Sequence, residues 1–210
     1  MATDVNVVRE LYALAKQKGV LLTCGFNRRF APNNVALKQL PNKQMIVAEK
    51  DREHTLQDAE FAVWDLMIHS VDTALWLMDE PVTGQTARVL RNDAGELLQG
   101  YLTVTGVHSQ VQVITNMDAH ANNELVTVQA ADARMTSNDL LQLRVATTSG
   151  IQIQHRPDWE PTLETRGFAI LTRAFLKAVS DGGANPVSPE SAIASHAACA
   201  AIVATFKAEK

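Results

Sequence analysis

The sequence predicts an α/β protein of the α+β type: one large, open, mostly antiparallel β-sheet with helices packed on one face. Three observations lead there. Between residues 82 and 155 the chain breaks into short alternating runs joined by turns, with no helical period between them; strands connected that way are antiparallel neighbours. Stretches of 3.6-residue periodicity flank this region, at 61–78, at 163–179 and beyond Ser188. Alternation within the strands leaves the sheet one face for those helices and one that is more open.

In chain order, Thr3 and Asp4 cap a helix to about Lys18, with Val5, Val8, Leu11, Leu14 and Ala15 on its apolar side. Gly19 ends it, and Val20-Leu21-Leu22-Thr23-Cys24 reads as a short apolar strand. A helix feeding such a run is the second half of a βαβ unit, so the chain reads as starting in the middle of a fold. A helix is expected over 32–40 with Pro32 at its start, a strand over 43–52, a polar loop over 53–58, and then the long helix 61–78, stopped by Glu80-Pro81. Strands follow at 85–92, 97–105, 107–116, 124–130, 140–146 and 151–154, with turns at Asn92-Asp93-Ala94-Gly95 and Thr148-Ser149-Gly150. An irregular loop over 156–161, a helix over 163–179, a break at 181–186 and a last helix capped by Ser188 complete the chain.

Composition excludes several classes. The 210 residues are 46% apolar and 20% charged, as in an ordinary globular protein, and long enough to bury a sizeable core. A net charge of −4 gives no general pull toward nucleic acid or anionic membrane. No apolar run reaches the ~20 residues that span a bilayer. The first residues lack the pattern of a signal peptide, so a cytoplasmic location is expected. Cys24 and Cys199 read as reduced, buried small hydrophobes, not a disulfide or metal pair. There is no Gly-x-Gly-x-x-Gly, no phosphate-binding Gly-x-x-x-x-Gly-Lys-Ser/Thr loop and no zinc-type His/Cys spacing.

The long helix carries the candidate chemistry. Val63, Met67, Val71 and Ala74 form its apolar line, widened by Trp64, Ile68 and Leu75, so it is mostly buried. Asp65, His69 and Asp72 stand at i, i+4 and i+7 on one line. They are either a solvated polar stripe with an ordinary ion pair, or a site in which Asp65 fixes the tautomer of His69 and raises its pKa for acid–base work. Trp64, Trp76, His196 and Cys199 read as packing residues. Arg28 and Arg29 suit an anionic or hydroxylated ligand; the alternative pairs one of them with an acidic neighbour and leaves the other solvated. Asp72 belongs with them as a substrate-binding candidate or as an arginine's structural partner.

Gly25-Phe26-Asn27-Arg28-Arg29-Phe30-Ala31-Pro32, Asp65-x-x-x-His69-x-x-Asp72 and Arg166-Gly167-Phe168, in that order, resemble the glucose–fructose oxidoreductase / inositol dehydrogenase / MocA family. Within it the chain looks most like the MviM-like, virulence-factor-like branch. The resemblance implies an NAD(P)-dependent oxidoreductase of sugars, polyols or related hydroxy compounds, whose N-terminal Rossmann domain and Glu-Lys-Pro motif have no counterpart here. It implies that residues 1–40 are a remnant of the Rossmann-domain junction and 41–210 the C-terminal sheet domain. His69 and Asp65 match the family's acid–base histidine and substrate-site aspartate, with Arg28, Arg29 and Asp72 as substrate-binding candidates. No cofactor, NAD or NADP, is expected on this chain alone, and no metal. A homodimer through the open sheet face is expected, because a bare apolar sheet face would exceed the patch a soluble monomer tolerates. The expected role is the substrate-binding and oligomerisation portion of such an enzyme, inactive by itself; the alternative is a non-catalytic binding or assembly module.

Overall fold

A computed structural model describes residues 2–207. Asp4 accepts a hydrogen bond from the Asn6 N–H and opens α1 (Val5–Gln17). Only Val8 and Tyr12 of α1 are buried, where it packs on α7 (Pro189–Lys207); Val7, Leu11 and Leu14 stay exposed, so much of the predicted apolar side is uncovered. Residues 20–24 are extended but are not a strand: among the described residues they have no partner strand, and a strand is made by its ladder. A 3₁₀ turn (Asn27–Phe30) leads into α2 (Pro32–Gln39), with Pro32 in its first turn.

The sheet has eight strands: β1 (Met45–Glu53), β2 (Gly84–Arg91), β3 (Leu97–Thr105), β4 (Gln110–Ala119), β5 (Asn123–Gln129), β6 (Ala133–Asn138), β7 (Gln142–Thr147) and β8 (Gly150–His155). Their order is β2-β3-β4-β1-β5-β6-β7-β8, antiparallel except where β1 runs parallel to β4. β1 therefore separates two strands joined only by residues 120–122, which cross over its end. β6 was not expected. Its Ala-Arg-Met-Thr-Ser-Asn run is short and polar, and it is held by ladders to β5 and β7.

Alternation sorts the side chains as expected. Ile46, Ala48, Leu102, Val104, Val111, Val113, Val126 and Val128 are buried under the helices. The other face is mixed: Val47, Ile114, Leu125 and Tyr101 share it with Gln99, Gln112, Thr103 and Arg144. It is less apolar than predicted, because threonine and glutamine take many of the outward positions. The predicted helix 163–179 is two, α5 (Thr162–Thr165) and α6 (Phe168–Asp181), parted by Gly167 at φ +78°. Val8, Tyr12 and Phe26 join Leu37, Val71, Val113 and Ile202 in one core, so the first forty residues share it with the sheet.

Candidate functional site

Asp58 caps the long helix by accepting from the Phe61 N–H. The helix runs as α3 (Ala59–Ala62), a π-type turn (Val63–Met67) and α4 (Ile68–Leu77). In the wide turn the Ile68 N–H reaches the Val63 carbonyl, five residues back. Such an insertion recurs at functional sites, where it re-aims side chains. Here it lies between the two residues that the sequence pairs. Asp65 faces solvent, whereas His69 is half-buried and its Nδ1 has no hydrogen-bond partner.

The expected Asp65–His69 pair is thus not made, and its expected effect is reversed. Burial pushes the His69 pKa down to about 4, and the positive charges of Arg28 and Lys50 lower it further against the opposing pull of Glu124. The ring is neutral at pH 7, with a free nitrogen able to take a proton. Gly25, Phe26, Trp64, Asp65, His69 and His196 line a pocket of about 230 Å³. Trp64 Nε1 is also buried without a partner, and its ring lies 6.1 Å from that of His196. His196 is fixed by its Nδ1 contact with the Ala192 carbonyl, and buried Cys24 and Cys199 are free thiols.

Arg29 and Asp72 meet inside the core. Arg29 Nη2 and Nε donate to the two Asp72 oxygens at 2.6 and 2.9 Å, Ser195 Oγ adds a third bond at 2.8 Å, and Arg29 Nη1 reaches Ser191 Oγ. Both side chains are almost fully buried and occupied by each other. Arg28 is not left solvated either. It forms a two-pronged ion pair with Glu124 on β5, which also accepts from Lys50 on β1. Burial alone would raise the Glu124 carboxyl; the hydrogen bonds and charges of Arg28 and Lys50 outweigh it and hold the pKa at about 2. Neither Lys50 nor Glu124 stood out in the sequence. The one available signal was a charge at an inward position of each apolar strand.

Acid stability should follow from these two groups. Both titrate lower in the folded chain than the ordinary 6.5 and 4.5, so the unfolded chain takes up protons first as pH falls. Stability should decline from about pH 6.5 to about 4 through His69, and from about 4.5 to about 2 through Glu124, each by about 3 kcal/mol. Urea unfolding at a series of pH values reads this directly. His69→Gln should flatten the upper window, leaving the share of His196, which burial also pushes down.

The 3₁₀ turn that carries both arginines is latched to the α5–α6 junction. Asn27 Nδ2 donates to the Arg166 carbonyl at 2.8 Å, and Gly167 packs directly on the backbone of Asn27, Phe30 and Ala31. Arg166 and Gly167 thus meet the Asn27–Phe30 turn through backbone contacts. Doubly wound dinucleotide-binding folds hold the pyrophosphate on a glycine-rich turn that opens a helix. No such turn occurs among the described residues.

The fold is shared with parts of larger solved proteins. A dehydrogenase (MviM) from Clostridium difficile superimposes with a TM-score of 0.89 at 22% identity, over 93% of this chain and 66% of that one. A Gfo/Idh/MocA family oxidoreductase from Vibrio cholerae does so with a TM-score of 0.88 at 20% identity, over 99% and 68%. Residues 32–148 match the model of the YceM-like C-terminal domain, and the chain belongs to that family. It is 32% identical over 197 residues to "Putative oxidoreductase YceM" of Salmonella typhimurium, covering 91% of this chain and 62% of that protein's length. No described helix is long and apolar enough to cross a membrane.

Proposed function

We propose that this chain is the substrate-binding and oligomerisation portion of an NAD(P)-dependent, cytoplasmic oxidoreductase acting on a sugar, polyol or related hydroxy compound. The observation that carries this reading is His69: half-buried, neutral at pH 7, with Nδ1 unpartnered on a helix whose widened turn borders a pocket. Oxidising an alcohol requires a base for the hydroxyl proton, and a neutral imidazole is suited to that. Asp65, at the pocket mouth, accepts a hydrogen bond from a substrate hydroxyl. A nicotinamide would take the hydride, held by the complementary half of such an enzyme. Exposed Val7, Leu11 and Leu14 and the unpaired segment 20–24 support packing of that half against residues 1–40.

The test joins this chain to the remaining N-terminal part of the Salmonella relative and follows NAD(P) reduction across a panel of sugars and polyols. Turnover is expected from the fusion and not from the chain alone. His69→Gln should lower kcat by about 10²–10⁴-fold. Full activity in that variant would sink the reading.

The open sheet face is the proposed dimer surface. Val47, Ile114 and Leu125 cluster at its centre around Glu49, whose carboxyl is pushed up by burial and by Asp51. Sedimentation at micromolar concentration should show a dimer, and Ile114→Arg should shift it to monomer. A monomeric wild-type chain would remove this part of the proposal.

A further inference from the structure

We propose that the hydroxy compound handled beside His69 is an anion, bearing a carboxylate or phosphate that Lys50 and Arg28 engage. This rests on the reading of His69 as part of a substrate site, and adds the charge class of the substrate.

The argument starts from register. Lys50 on β1 sits opposite Glu124 on β5 and Thr115 on β4, all three on the side of the sheet that the helices cover. α4 packs on β1 and β4, His69 on it feels the charges of Arg28, Glu124 and Lys50, and the 3₁₀ turn brings Arg28 onto Glu124. One carboxylate therefore serves two cations: Glu124 accepts from Arg28 Nε at 2.7 Å, Arg28 Nη2 at 3.0 Å and Lys50 Nζ at 2.9 Å. The side chains are 12%, 12% and 7% exposed for Arg28, Lys50 and Glu124. One positive charge is left over in a largely desolvated place.

Hydrogen bonding points the same way. An ammonium group has three donors, and among the described residues Lys50 Nζ has Glu124 as its one partner, while Arg28 Nη1 makes no protein hydrogen bond and keeps access to solvent. Thr115 Oγ1 and His69 Nδ1 are the buried, unpartnered polar atoms of this corner among the described residues. Other acids do not fill the gap. Among the described residues Asp139, in the β6–β7 turn, accepts from the Glu124 backbone N–H and makes no ion pair with Arg28 or Lys50, and Glu49 and Asp51 alternate onto the opposite face. The chain as a whole carries −4, so the surplus is local and not part of a general positive field. A neutral polyol fills hydrogen bonds but leaves the charge uncompensated; a carboxylate or phosphate oxygen does both.

The experiment titrates the isotopically labelled chain with D-gluconate, D-glucose 6-phosphate and D-glucose at constant ionic strength, following the His69 ring signals by NMR. The expected result is that at least one anion shifts His69 with a Kd about tenfold or more below that of glucose. Lys50→Gln should erase that preference, and Lys50→Arg should retain it. Equal affinity for glucose and the anions, with His69 shifting in each case, overturns the anion proposal and leaves the proposed function standing. So does a preference that survives Lys50→Gln. No shift at His69 with any of the three overturns the substrate site and this proposal with it.

Discussion

Replacing Asp72 by alanine is expected to destabilise the chain by about 3–5 kcal/mol, because it strands a guanidinium in the core. Arg29 is 6% exposed and its Nε and Nη2 both donate to Asp72, with Ser191 taking Nη1. Removing the carboxylate leaves those two donors without an acceptor and the charge without a partner. Against a total stability of about 5–15 kcal/mol for a domain, that loss is large. Urea unfolding checks it. The double variant Arg29→Met/Asp72→Leu should recover most of the loss, since apolar replacements of a buried pair are often neutral or better. If Asp72 instead binds substrate, Asp72→Asn would weaken ligand binding while leaving the unfolding midpoint in place.

Gly167→Ala should cost roughly 2–4 kcal/mol, the sum of a left-handed backbone and a close approach. A Cβ at Gly167 would lie 2.3 Å from the Asn27 carbonyl oxygen and 2.6 Å from Ala31 N, both backbone atoms that cannot swing aside. Gly19 supplies the control. It also has a positive φ, +64°, but nothing within 4 Å of its Cβ position, so Gly19→Ala should cost only about 1 kcal/mol. The difference between the two melts isolates the contact. Because the displaced segment carries Arg28 and Arg29, Gly167→Ala should also loosen the Arg28–Glu124 pair and broaden the NMR signals of the 3₁₀ turn.

Much of this architecture was legible because it depends on local pattern. The alternation at 97–105 and 107–116 (the latter a strand over 110–119 in the fold), the Asp4 and Ser188 caps and the Pro32 start all specify their elements from neighbouring residues. What the pattern missed was decided by distant partners. The strand expected at 20–24 has an apolar sequence but no neighbour to pair with, whereas β6 has a weak sequence and two neighbours. The π-type turn left no trace in the spacing of Asp65, His69 and Asp72, since periodicity assumes a constant rise and turn. It removed the expected pairing while keeping both residues near one pocket. Arg28 and Arg29 were legible as candidates, but their partners stand 96 and 43 residues away. Lys50 and Glu124 were invisible for the same reason.

The placement of β1 bears on how the chain reaches this state. A strand flanked by β4 on one side and β5 on the other finds neither partner until some sixty to eighty further residues have been made, as the pairing of Lys50 with Thr115 and Glu124 records. Closing such loops is entropically costly and slow, so folding here is governed by high contact order. A nascent chain emerging from the ribosome holds Arg28, Lys50 and His69 in hand but cannot assemble them until β5 arrives. Truncation before residue 110 should therefore leave an aggregation-prone fragment with β1 unsatisfied on both sides, and truncation between β4 and β5 one with β1 open on its β5 side.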